Sequence, residues 1–199
     1  VTATAYTRVH DLAVIWMVLC WIGYGIPFLL RKRFPGATDR KRDPRSIPGI
    51  IVQSVAYVPV WAVRRPPGTP IVPLGPALDW IGPFLVFALG SISVVMVVSA
   101  VRTLGRQWSL AARLTEGHRL VTEGPYRFVR HPIYAAMGGM MLVTGIAISR
   151  AWVIPPAAAL FAIGTAIRVR SEERLLREAF GEEFEAFRER VGAVLPRLR

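Results

Sequence analysis

The sequence predicts an all-α, polytopic integral membrane protein with about five transmembrane helices and an amphipathic C-terminal helix on the cytoplasmic side. Three observations carry this expectation. Of 199 residues, 53% are hydrophobic and only 19% are charged, and with glycine added the apolar share exceeds the roughly 45–50% of soluble globular domains. The hydrophobicity is gathered into five runs. The 25 basic residues against 13 acidic ones leave a net charge of +12 that is confined to a few connecting segments. A nucleic-acid reader would spread Arg and Lys over a polar face, so no nucleic-acid partner is expected. A single cysteine, Cys20, allows no intramolecular disulfide, and no metal site is expected.

In chain order the runs are Leu12 to Leu30, Ile47 to Val63, about Leu78 to Val101, Ile133 to Ser149 and Ala151 to Ile167. A helix rises ~1.5 Å per residue and the hydrocarbon layer is ~30 Å thick, so a crossing needs roughly 17 to 25 apolar residues. The first run is too long for the apolar core of a signal peptide, and its basic cluster follows it instead of preceding it. A chain starting at Val1 predicts a trimmed or processed start. The second and fifth runs contain Pro48, Pro59, Pro155 and Pro156, which weaken a soluble helix more than a membrane one, where neighbouring helices satisfy freed carbonyls. The fourth and fifth runs meet around Arg150 and predict a tight antiparallel hairpin, with Gly138, Gly139 and Gly145 permitting close approach.

Lys and Arg set the orientation. Segment 31–46 carries seven, segment 102–132 six and the tail from Arg168 eight, together 21 of the 25. An odd number of crossings with the N-terminus outside puts all three segments in the cytoplasm, as the positive-inside rule requires. The basic loop 31–46 reads as an anchor to anionic membrane lipid. Two units are expected, the helices of 1–101 with their basic loop, and 102–199.

Chemistry concentrates in two cytoplasmic stretches. In the first, Glu116 to Tyr134, Gly124 and Pro125 read as a turn, and Pro132 forces His131 out of the α region while suiting the first position of a helix. His131 is therefore expected at an N-cap, where the positive helix end and the forked donors of Arg130 could hold an anion such as a carboxylate. A plain cap with a membrane-edge Arg and an interfacial Tyr fits this stretch equally well. In the tail, Leu176, Phe180, Phe184, Phe187 and Val191 recur at steps of 4, 4, 3 and 4, along one face of a helix that must cover something. Glu172 and Glu173 lie beside Arg168 and Arg170 near the membrane end of the fifth span, so each has a cation to seek.

The pattern G-x-Y-x-x-x-R-H-P-x-Y, made by Gly124, Tyr126, Arg130, His131, Pro132 and Tyr134, resembles the isoprenylcysteine carboxyl methyltransferase family. The lead-in His118, Leu120, Val121 and Thr122 matches that family's H-x-L-V-T. After the hairpin come Arg170, Glu172, Glu173, Leu175, Phe180 and Gly181, and then Val191, Leu195 and Pro196. The resemblance covers about residues 102 to 196. It implies a bacterial-type membrane enzyme of the inner or plasma membrane that uses S-adenosyl-L-methionine and releases S-adenosyl-L-homocysteine. It also implies that Tyr126, His131, Tyr134 and Glu172 or Glu173 contact the cofactor, together with Gly124, Pro132 and the lead-in residues His118, Leu120, Val121 and Thr122. The residues agree with the small cofactor, since no G-x-G-x-x-G follows a strand. His131 and the helix end suit its carboxylate, and a Glu suits its ammonium. Where tyrosines are common in the family, this chain has Phe184 and Phe187.

Methyl transfer is an in-line displacement, so alignment and exclusion of water dominate. A carboxylate acceptor, ionised at neutral pH, needs only an orienting cation, Arg170 first and Arg130 next. An alcohol, phenol or amine would need a base, Glu173 or His131. A site at the inner leaflet implies a lipophilic acceptor. Two other classes remain open: an NADPH-dependent membrane sterol or enone reductase, and a non-enzymatic scaffold. The sequence does not define an oligomeric state.

Overall fold

The computed structural model describes residues 3–30, 39–75, 77–105, 113–115 and 119–197. Six helices form it: α1 (Ala3–Leu29), α2 (Ile47–Ala62), α3 (Ile81–Leu104), α4 (Pro132–Ile148), α5 (Ile154–Phe180) and α6 (Glu182–Arg190). One small exception departs from the all-α expectation. Strand β1 (Asp39–Arg42) pairs antiparallel with β2 (Arg113–Thr115), tying the basic loop after α1 to the segment between α3 and α4.

Three helices, Thr4–Leu29, Ile81–Leu104 and Ala151–Phe180, are long and apolar enough to cross a membrane, and Pro132–Ile148 is a shorter apolar helix. No residue of α4 is exposed, which makes it the centre of the bundle. On one side Ala136 and Met140 pack with Cys20 and Tyr24 of α1 and Val97 of α3. On the other, Met141 packs with Ala56 and Val60 of α2 and Phe161 of α5. The outer faces are apolar as well: Leu12, Ile15, Leu19 and Ile22 on α1, Ile51 and Val58 on α2, and Phe84 and Val95 on α3 all stand exposed. Water would drive such surfaces to aggregate, whereas hydrocarbon requires them. The protein is integral to a membrane.

The short α4–α5 connection forms as expected, with α4 capped at Ser149 and a single 3-10 turn, Ala151–Val153, leading into α5, but the pair is not the tight one expected: α4 packs chiefly on α3 and α5 on α2. A Cβ on Gly138 would lie 3.2 Å from Phe161 Cε1, and one on Gly145 would lie 2.9 Å from Ile154 Cγ1. Gly139 instead admits Ser93 of α3. A further close crossing involves glycines that drew no attention in the sequence. A Cβ on Gly164 of α5 would meet the Gln53 backbone nitrogen at 2.8 Å and the Gly49 carbonyl oxygen at 2.9 Å, so α2 and α5 touch backbone to backbone. Backbone cannot move aside cheaply. Gly164→Ala is expected to cost about 1–3 kcal/mol, read as a lower melting midpoint in detergent. Gly25→Ala, whose Cβ meets nothing within 4 Å, should leave the midpoint unchanged.

The tail differs from expectation. The fifth helix does not stop near Ile167; it runs on through the charged residues to Phe180 and ends at Gly181, whose φ of 49° breaks the helix before α6. The stripe of Leu176, Phe180, Phe184, Phe187 and Val191 is therefore divided between two helices. It still converges on one cluster, around Ala100, Val121 and Tyr126. The β1–β2 ribbon and the ion pair of Asp43 with Arg174, at 3.6 Å, gather the three basic segments at this end of the bundle. At the opposite end Arg65 donates to the carbonyls of Ile146 (2.7 Å), Ala147 (2.8 Å) and Ser149 (2.8 Å), placing positive charge on the last turn of α4.

Candidate active site

The residues of both polar stretches meet where α4 begins and the apolar part of α5 ends. His131 is the N-cap of α4, held at φ −125° and ψ 64° with Pro132 behind it. The segment before it is fixed by the C-terminal chain, since Arg130 N–H donates to Gly192 O (2.9 Å) and His131 N–H to Ala193 O (2.8 Å). His131 is only 7% exposed. Its Nδ1 lies 3.3 Å from Glu172 Oε2 and its Nε2 lies 3.3 Å from Glu173 Oε1. One ring thus faces two carboxylates.

Each glutamate has further partners. Tyr134, one turn into α4, donates its hydroxyl to Glu172 Oε1, and its ring stacks on His131 at 5.6 Å and 10°. Arg130 donates to Glu173 Oε1 from Nε (2.9 Å) and Nη2 (2.6 Å), and its Nη1 donates to the carbonyls of Arg188 (3.1 Å) and Val191. Glu172 is the more open carboxylate, its side chain 24% exposed against 13% for Glu173. Arg168 lies 5% exposed, with its guanidinium carbon 4.6 Å from the Tyr134 ring centroid.

Burial alone would push the His131 pKa down, but the hydrogen bonds and charges of Glu172 and Glu173 outweigh it and hold it above its ordinary value. For both glutamates burial pushes the pKa up, and the hydrogen bond to His131 leads the effects that bring it below the usual range. An imidazolium between two carboxylates is the favoured state. Its His131 contribution to stability is complete below about pH 6.5 and fades as pH rises through the raised folded value. The glutamate contributions are complete above about pH 4.5 and fade as pH falls through the depressed values. Melting midpoints in detergent are expected to decline above about pH 6.5, and His131→Gln should flatten that alkaline slope.

The expected site residues fall in different settings. Arg170 is exposed and, among the described residues, joins none of these contacts. Two residues from Glu172 it lies about 200° around the helix, whereas Arg168, four residues away, shares the Glu172 face. Arg130 is committed to Glu173 and two carbonyls, so it is a tie between α4, α5 and α6. His131 has both ring nitrogens turned to carboxylates. Gly124 adopts φ 57°, and a Cβ there would lie 2.7 Å from Thr103 Oγ1, so it seats the turn against α3. Tyr126 is buried with Phe184 and Phe187, an apolar setting that suits phenylalanine at both positions. Val121 joins the same cluster, Leu120 is half-buried against it and Thr122 is exposed. His118 lies outside the described residues. Arg168 was legible only as a neighbour of the glutamates; the four-residue spacing was the signal that could have found it. Arg170→Ala is expected to leave stability within about 0.5 kcal/mol of the parent, read as an unshifted melting midpoint.

A lipid-exposed helical bundle with a buried ionic cluster at the end of its central helix defines an integral membrane protein with a polar site at one membrane face. Residues 85–178 match the isoprenylcysteine carboxyl methyltransferase (ICMT) family. It is 33% identical over 120 residues to the cobalt-zinc-cadmium resistance protein CzcN of Cupriavidus metallidurans, covering 60% of this chain and 52% of that one. It is 31% identical over 104 residues to protein-S-isoprenylcysteine O-methyltransferase B of Arabidopsis thaliana, covering 49% and 51%. The uncharacterized protein YpbQ of Bacillus subtilis is 30% identical over 96 residues, covering 45% and 56%. The matches thus span about half the length of these relatives.

Proposed function

We propose that the protein is an S-adenosylmethionine-dependent membrane methyltransferase that acts on a lipophilic carboxylate, such as that of an isoprenylcysteine. The observation that carries this reading is the pairing at the end of α4: a partly open carboxylate, Glu172, held by Tyr134 and His131 within a set of cations. The chemistry of that donor set fits an amino acid moiety bearing both an ammonium and a carboxylate. Glu172 takes the ammonium. The His131 imidazolium and the positive end of α4 supply charge that complements the carboxylate. For the adenine we assign Leu120, half-buried against Val121 and Tyr126, and the exposed Thr122 that follows in the chain. When bound, the cofactor supplies an electrophilic sulfonium methyl group.

An ionised acceptor needs orientation and a dry site, and no general base. We assign the orienting role to Arg168, because Arg130 is tied down and Arg170 faces away. Arg168 follows directly on the apolar run that ends at Ile167, so an acceptor with its tail among the spans presents its head group there. Glu173 keeps Arg130 and His131 in place. We read the chain as five spans with the N-terminus outside, because the positive-inside rule then gathers the three basic segments and the site in the cytoplasm of a bacterial cell. Residues 102–199 carry the chemistry, and 1–101 supply the helices that hold it.

The test is transfer of label from methyl-tritiated S-adenosylmethionine to a farnesylated, amine-blocked cysteine by the purified protein in lipid. A base-labile methyl ester is expected. Base-stable label on an amine lipid would overturn the carboxylate assignment, and absence of any transfer would overturn the prenylcysteine class.

A further inference from the structure

We propose that Gln53, on α2 and outside the family-matched stretch, is the positioning residue that holds Arg168 over Tyr134, so that the second helix is part of the site. The proposal rests on the assignment of Arg168 made above. Gln53 is 1% exposed, and a primary amide in an apolar span persists only when its polar atoms are paired. Both ends of this amide are directed. Its Nε2 donates to Thr165 Oγ1 at 2.8 Å, and its Oε1 accepts from Arg168 Nη1 at 3.0 Å.

The two bonds define an orientation. Thr165 lies one turn before Arg168 on α5, and by occupying the amide nitrogen it turns the oxygen toward the guanidinium. The geometry depends on the α2–α5 crossing. A Cβ on Gly49 would lie 2.6 Å from Arg168 Cγ, and one on Gly164 would lie 2.8 Å from Gln53 Cγ. Two glycines therefore admit the Arg168 stem and the Gln53 stem to the same seam. The guanidinium leaves that seam against the Tyr134 ring, and the Tyr134 hydroxyl is on Glu172. Among the described residues, Gln53 reaches the cluster through Arg168.

A positioning role separates from a merely structural one by three variants. Gln53→Leu removes both bonds at similar volume. Gln53→Glu keeps an oxygen acceptor for Arg168 and accepts from the Thr165 hydroxyl instead. Thr165→Val frees the amide nitrogen and tests the relay without touching Gln53, and it serves if Gln53→Leu fails to fold. The direct readout needs no cofactor. In arginine-15N-labelled full-length protein in lipid nanodiscs, the Arg168 guanidinium resonance, identified by its absence in Arg168→Lys, is shifted by the Tyr134 ring current. That shift is expected to be lost in Gln53→Leu, reduced in Thr165→Val and restored in Gln53→Glu.

The functional readout is methyl transfer to the farnesylated cysteine. About a tenfold loss of kcat/KM is expected in Gln53→Leu, with S-adenosylhomocysteine affinity within twofold, and recovery in Gln53→Glu. The double variant with Arg168→Ala should be no worse than Arg168→Ala alone. An unchanged Arg168 resonance in Gln53→Leu and Thr165→Val would overturn the proposal. So would losses that add in the double variant. Absence of transfer by the parent protein would count against the proposed function alone, and the resonance would still decide the role of Gln53.

Discussion

Glu172→Ala is expected to weaken S-adenosylhomocysteine binding about thirtyfold or more, the value of one charge-assisted contact to an ammonium in a partly closed site. Glu172 is the carboxylate that combines exposure with fixed orientation, Tyr134 on one oxygen and His131 on the other. Removing it also releases Tyr134, so the site loses both charge and shape. The fold should survive, because a side chain with this exposure carries little of the packing. Titration calorimetry beside a thermal melt separates the two effects. A normal melt with unaltered affinity would show that the ammonium is held elsewhere.

Arg130→Ala is expected to have the largest effect on stability, a loss of about 3 kcal/mol, because it leaves the largely buried Glu173 carboxylate with His131 alone. Glu173 would lose two hydrogen bonds, and the carbonyls of Arg188 and Val191 would lose their donor where α6 ends. Lysine should not rescue it, since one ammonium cannot replace a fork that reaches three groups. Replacing both partners, Arg130→Met with Glu173→Leu, should recover part of the loss by removing the uncompensated charge. Denaturant titration in mixed micelles measures both. An Arg130→Ala protein that melts like the parent but turns over poorly would return Arg130 to the role of acceptor cation.

What could be read in the sequence was local. Pro132 constrains its own neighbour, so the His131 cap was visible without knowing what surrounds it. The short α4–α5 connection followed from two apolar runs separated by a single Arg. The choice among Arg130, Arg168 and Arg170 was different, because it depends on helix phase. The apolar run ending at Ile167 and the charged tail read as separate stretches, so the four-residue spacing of Arg168 and Glu172 was not used. Once α5 runs unbroken to Phe180, Arg168 falls on the face of Glu172 and Arg170 does not.

Other features depend on contacts distant in the chain, for which a periodicity holds no information. Gln53 meets Arg168 across 115 residues, and Gly192 meets Arg130 through a backbone bond that no side-chain pattern encodes. The β1–β2 ribbon joins a loop that reads from its charge alone as a lipid anchor. The tail stripe of aromatic residues was legible as a buried face, but its break was not. Gly181 takes φ 49°, and the turn it makes lets Phe184 and Phe187 fold back onto Tyr126.

The central claim is that the cluster of Glu172, His131 and Tyr134 holds S-adenosylmethionine. Its most direct test is calorimetric titration of the purified protein, in detergent with added lipid, with S-adenosylhomocysteine and in parallel with NADPH. Saturable one-to-one binding of S-adenosylhomocysteine, absent in Glu172→Ala and absent for NADPH, is the result predicted. Saturable binding of NADPH alone, or binding of S-adenosylhomocysteine that Glu172→Ala leaves intact, would contradict it.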